Sequence, residues 1–113
     1  MIYRWGYLYI MNNMENEVIG RILTKVLKKE YPDSGISEIL ITREPDYMSY
    51  YIDKEKNLKY CVFVVFKDET SINYYRDNDE DWDEMKTYIK VTMRAMGIIQ
   101  QITVYRESAE ESW

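Results

Sequence analysis

Seven consecutive residues, Tyr60-Cys61-Val62-Phe63-Val64-Val65-Phe66, are apolar, with Lys59 before them and Lys67 after. Side chains of a strand alternate between its two faces, so a run without alternation needs cover above and below. The run is far too short to cross a membrane, which takes ~20 residues. Its β-branched and aromatic content favours a strand over a buried helix. Residues Lys59 to Lys67 are therefore read as the central strand of a sheet, to which the remaining chain must add flanking strands and helices.

Two helices are expected. In the first, roughly Met14 to Glu30, Val18, Ile19, Ile22, Leu23, Val26 and Leu27 repeat at the helical period and form one stripe. Asn12 or Asn13 is placed to cap its start. Glu15 and Glu17 lie in the first turn and Lys25, Lys28 and Lys29 near the end, an order that complements the helix dipole. Pro32 then stops it. The second helix runs from about Trp82 to Met96, with Trp82, Met85, Ile89, Met93 and Met96 on one stripe. Asp81 and Glu84 have capping-box spacing, and Gly97 suits the left-handed residue that ends a helix.

The other strand candidates are shorter. Tyr3 to Ile10 alternates, placing Tyr3, Trp5, Tyr7 and Tyr9 on one face. Ile36 to Thr42 and Tyr47 to Ile52 follow, then a polar turn from Asp53 to Asn57. Thr70 to Arg76 is expected to pair back on the central strand across Asp68-Glu69, with Ile72 and Tyr74 on one face. Ile98 to Arg106 closes the series, with Ile102 and Val104 inward. The fold class expected is α+β, a two-layer sandwich of a mostly antiparallel sheet of four to five strands with two amphipathic helices on one face. The ferredoxin-like split βαβ is the nearest familiar architecture. Residues 1–106 are read as one domain and 107–113 as a flexible C-terminal tail.

Composition bounds the chemistry. The chain of 113 residues has no His and a single cysteine, Cys61. The usual general base near neutral pH and the Ser/His/Asp arrangement are absent, and one chain cannot assemble a zinc-finger-type site. No intrachain disulfide can form, and no secretory leader is evident, so a cytoplasmic (intracellular) setting is expected. Cys61, inside the apolar run, is expected to be buried, with a raised thiol pKa and no reactivity. The four glycines are isolated, so there is no glycine-rich phosphate loop. The net charge of -5 argues against direct nucleic-acid binding, which needs a basic footprint. No catalytic residue, cofactor or metal ligand is assigned.

The acidity is local. Asp77, Asp79, Glu80, Asp81, Asp83 and Glu84 place six of the 20 acids within eight residues, and the rest of the chain is nearly neutral. A helix start explains such a run in part, since carboxylates there favour free N–H groups and the dipole. A calcium loop explains it poorly. Asp77, Asp79 and Asp81 alternate like the first ligands of an EF-hand, but the sixth position is Trp82 and the twelfth Tyr88. A docking surface for a basic protein, one version of which imitates nucleic-acid phosphate, is the functional expectation. Tyr74 and Tyr75, just before the run, supply aromatic contact area. The Tyr3/Trp5/Tyr7/Tyr9 stripe is read as a core or interface face, because a stacking platform for single-stranded nucleic acid also needs a positive groove.

In being short, acidic, rich in tyrosine and free of histidine, the chain resembles in composition small phage- or mobile-element-encoded inhibitors of host proteins. The expected function is accordingly a non-enzymatic inhibitor or protein-binding protein whose partner is a protein, including a basic nucleic-acid-binding one. Two alternatives stand beside it. One is a self-assembling structural subunit, a homo-oligomer held by the two-sided apolar strand and the aromatic first strand. The other is a carboxylate-based, metal-dependent hydrolase. For the latter, Glu84-Met85-Lys86 has the Glu-x-Lys spacing of some metal nucleases, but it falls on a helix beside its cap.

Overall fold

The computed structural model describes residues 2–45 and 58–109. The element order is α1 (Ile2–Glu30), β1 (Ile36–Pro45), β2 (Leu58–Phe66), α2 (Glu69–Asp77), α3 (Asp79–Ala95) and β3 (Ile102–Ser108). The strands form one sheet in the order β1-β2-β3. β1 lies antiparallel to β2 and β3 lies parallel to it. The apolar run is thus the central strand, as its lack of alternation requires.

This architecture corrects the expected one. Among the described residues the sheet has three strands and is mixed, not four to five and mostly antiparallel, and three helices accompany it rather than two. Because β3 pairs parallel with β2, the pair needs a crossover, and α2 with α3 provides it. That excludes the ferredoxin-like arrangement. Residues Tyr3 to Ile10 are helical and belong to α1, so the stripe drawn for them as a strand does not exist. The strand candidate Tyr47 to Ile52 and the turn Asp53 to Asn57 lie outside the described residues.

Residues Thr70 to Arg76 are helix α2. Asp68 takes the N-cap position, and its carboxylate accepts from the Ser71 N–H at 2.8 Å. Ile72 and Tyr75, three apart, are its buried pair. Tyr74, expected to share a face with Ile72, is 51% exposed. The second expected helix is α3, which starts at Asp79 rather than Trp82, so Asp81 lies in the first turn instead of capping it. Its predicted stripe is sound for Trp82, Met85, Ile89 and Met93, all buried. Gly97 follows with φ of +90°, the left-handed conformation expected of it.

The core lies on one side of the sheet. Ile39 and Ile41 from β1, Tyr60, Val62, Val64 and Phe66 from β2, and Ile102 and Val104 from β3 meet Ile19, Leu23 and Leu27 of α1, Ile72 of α2 and the α3 stripe. Within α1 the buried face is narrower than predicted. Val18 and Ile22 are 53% and 41% exposed, whereas Asn16 and Gly20 are buried. Gly20 explains the rotation, because a Cβ there would stand 2.8 Å from the Ile39 carbonyl oxygen. The helix packs backbone to backbone on β1, and Thr24 Oγ1 accepts from the Ile39 N–H at 2.9 Å.

The face of β2 turned from the helices carries Cys61, Phe63 and Val65. Cys61 is a free, buried thiol whose pKa is pushed up chiefly by burial. Phe63 stacks on Tyr105 of β3, with ring centroids 5.1 Å apart. Strand β3 continues through Glu107 to Ser108, past the boundary drawn at residue 106, and Ser108 is buried. No described helix is long and apolar enough to cross a membrane.

Candidate functional site

The acidic segment occupies the junction of α2 and α3. Asn78 turns the chain there. It is both the last boundary of α2 and the first of α3, and its Nδ2 donates to the Tyr74 carbonyl at 2.8 Å, closing the end of α2. Asp77 ends α2, and Asp79, Glu80 and Asp81 form the first turn of α3. Asp83 and Glu84 follow on its exposed surface.

Position separates the carboxylates by cause. Asp79, Glu80 and Asp81 sit where a helix dipole favours negative charge. Asp77 ends α2, whose dipole opposes a negative charge there, and directly precedes the Asn78 cap of α3, whose dipole favours one. Asp83 is paired with Lys86 at 3.0 Å. Asp81 accepts from the Tyr74 hydroxyl at 2.5 Å, which anchors an otherwise exposed ring. That hydrogen bond, helped by the charge of Asp81, pushes the Tyr74 phenol pKa up. Among the described residues Asp77, Asp79, Glu80 and Glu84 have no ion-pair partner.

Tyr75, grouped with Tyr74 as a surface residue by the sequence, is 6% exposed and belongs to the core. Its ring stacks on Phe66 at 5.2 Å and meets Trp82 edge-on at 6.5 Å. Trp82 is covered in turn by Arg106, whose guanidinium lies 5.2 Å from the ring centroid. Arg106 Nη1 also donates to the Tyr75 carbonyl at 2.9 Å. The nearby cations thus serve the aromatic core and leave most of the carboxylates unneutralised.

The acidic surface extends beyond the segment that the sequence marks. A cleft of about 560 Å³ runs between the α1–β1 turn and α2, lined in part by Glu30, Tyr31, Asp33 and Tyr74. Burial raises the Tyr31 pKa, and the charges of Glu84 and Glu30 raise it further. Carboxylates from the end of α1 and from α3 therefore share one neighbourhood. Sequence reasoning missed Glu30 and Asp33, since only the fold brings residues fifty positions apart together. No three carboxylate or thiol groups converge into a metal-holding cluster among the described residues, so the alternating run Asp77, Asp79 and Asp81 does not form one.

Comparison with protein-family models, with curated proteins and with solved structures finds no match to this chain.

Proposed function

We propose that this chain is a non-enzymatic protein that docks on a basic partner protein through the acidic surface around the α2–α3 junction. The observation that carries the reading is the concentration of carboxylates at the α2–α3 junction, beside the exposed, hydrogen-bonded Tyr74 and the cleft that Glu30 and Asp33 line. Asp77, Asp79, Glu80, Asp83 and Glu84 supply charge that attracts and orients a cationic surface. Tyr74 supplies a ring on which an arginine or lysine side chain packs. A nucleic-acid-binding protein presents such a surface, and spaced carboxylates on a rigid helix stand in for its phosphates. Inhibition of that partner is the consequence expected of occupying its groove.

The test is retention of proteins from a cell lysate on the immobilised chain, at low and at high salt. It is run beside a variant carrying Asp77→Asn, Asp79→Asn, Glu80→Gln, Asp83→Asn and Glu84→Gln, with Asp81 kept because it holds Tyr74. A basic partner retained at low salt, released at high salt and absent with the variant supports the reading. Identical retention by both chains removes it.

A second reading, self-assembly, is favoured by the face of the sheet turned from the described helices. There Leu40 and Phe63 are half-buried and Tyr105 is 38% exposed.

A further inference from the structure

The cleft between the α1–β1 turn and α2 joins two kinds of surface. From the turn come Glu30 and Asp33, and among the described residues its lining includes no lysine or arginine, so every formal charge on it is negative. From α2 come aromatic rings. Tyr74 and Tyr75 meet edge to face, with ring centroids 5.0 Å apart and planes at 82°. Tyr31 stands on the turn side, its ring held edge-on against Tyr88 at 5.9 Å.

Two phenol hydroxyls of this lining are unengaged. Tyr75 is 6% exposed, and its ring is held against Phe66 and Trp82. The groups that bear on its hydroxyl are Tyr74, Asp81 and Tyr31, two of which line the cleft, so its polar end is directed there. Among the described residues that hydroxyl makes no hydrogen bond, and neither does that of half-buried Tyr31, whereas Tyr74 gives its own to Asp81. Buried polar groups are seldom left so. Burial raises the pKa of Tyr31 and Tyr75, so at neutral pH each is an uncharged hydroxyl with lone pairs to offer a donor. The cations nearby are occupied elsewhere. Arg106 and Lys86 lie over Trp82, and neither lines the cleft, so no side chain of this kind fills it from within.

We infer that this cleft receives one arginine side chain of the basic partner protein. The inference rests on the docking reading above and names the group that the acidic surface orients. Carboxylates, rings and unpaired hydroxyls together select the ligand. The carboxylates repel an anion. A neutral apolar group leaves the hydroxyls of Tyr31 and Tyr75 unpaired, and a quaternary ammonium has no N–H to give them. A lysine ammonium is compact, strongly hydrated and limited to three donors. A guanidinium is planar and weakly hydrated, packs on ring faces and carries five N–H donors. It alone of these meets the ring of Tyr74, the phenol oxygens and the carboxylates at once.

The test is titration of the full chain, followed by NMR, with end-blocked glycine peptides carrying a single central arginine, lysine or citrulline. The arginine peptide is expected to bind about tenfold more tightly than the other two, with shifts at Glu30, Tyr31, Asp33 and Tyr74. Tyr75→Phe removes one oxygen and keeps every carboxylate. It is expected to abolish the preference for arginine with the melting temperature nearly unchanged. Tyr31→Phe repeats the check at a ring that is only half-buried. Equal affinity for arginine and lysine, shifts confined to α3, or a preference retained by both variants would overturn the assignment. So would a basic partner from the lysate that is lost with the five amide substitutions but held unchanged by both phenylalanine variants, a result that leaves the docking reading in place. An arginine preference that both variants lose, with no basic partner retained from the lysate, would end the docking reading and keep the cleft as an arginine site.

Discussion

At the scale of single residues, Thr24 bears more of the fold than its type suggests. Its hydroxyl donates to the Gly20 carbonyl at 2.7 Å and accepts from the Ile39 N–H at 2.9 Å. One oxygen thus joins α1 to β1 at the point where Gly20 lets the two backbones approach. Thr24→Val keeps the shape and removes the acceptor, leaving the Ile39 N–H without a partner beneath the helix. A buried donor so left costs about 1–3 kcal/mol. Thr24→Ser keeps the oxygen and is expected to stay within about 0.5 kcal/mol of the parent. Urea unfolding of the two variants separates the hydrogen bond from the packing of the methyl group. A loss in Thr24→Ser with none in Thr24→Val would assign the effect to packing alone.

Among the elements, α2 shows where sequence reading succeeds and where it fails. The central strand and the core stripes of α1 and α3 were legible, because long periodic or unbroken apolar patterns report directly on burial. Nine-residue α2 was misread as a strand. Its pairs Ile72/Tyr74 and Ile72/Tyr75 fit a strand and a helix equally well, and the deciding signal was the three-residue spacing of Asp68 and Ser71. The strand drawn at Tyr3 to Ile10 failed for a related reason, since alternation of aromatics is weak evidence beside the continuity of a helix already begun. Parallel pairing of β3 was not legible at all, because it depends on what the crossover contains. The acidic patch was legible as a run, but Tyr75, Glu30 and Asp33 needed the fold. The Asp68 cap also gives α2 a signature in pH. The Ser71 N–H holds the Asp68 carboxyl below its ordinary 3.8. A depressed folded-state pKa contributes stability that is complete above the ordinary value and is lost as pH falls through the folded one. Asp68→Asn keeps an oxygen for Ser71 but has no proton to take up. Its melting temperature is expected to fall less steeply than that of the parent as the solution is acidified below 3.8. Parallel acid limbs for the two proteins would show that the cap carries no such linkage.

At the scale of the whole molecule, three helices cover one face of a three-stranded sheet, and the apolar central strand has a second face. The longest dimension, 47 Å, is close to the ~43 Å of a 29-residue helix. The described helices all pack into the core on that one face. On the other side the stacked pair Phe63 and Tyr105 lies beside Leu40, with Glu38, Glu44, Lys59 and Glu107 on the same strand positions around them. Two opposing effects decide whether such faces meet. Apolar burial favours association by roughly 25 cal/mol per Å². A net charge of -5 on each copy opposes it, and salt screens that repulsion beyond a Debye length of ~8 Å at physiological strength. Self-assembly through this face should therefore strengthen as salt rises, the reverse of docking through the acidic surface, where salt weakens attraction to a cationic partner. Light scattering across a salt series is expected to show a mass that grows with salt and concentration, and Tyr105→Lys is expected to hold the chain at the monomer mass with its melting temperature nearly unchanged. A monomer at every salt concentration would leave the acidic surface as the sole assembly face of the two. A mass that falls with salt would place like-with-unlike charge contacts, not the sheet, at the interface.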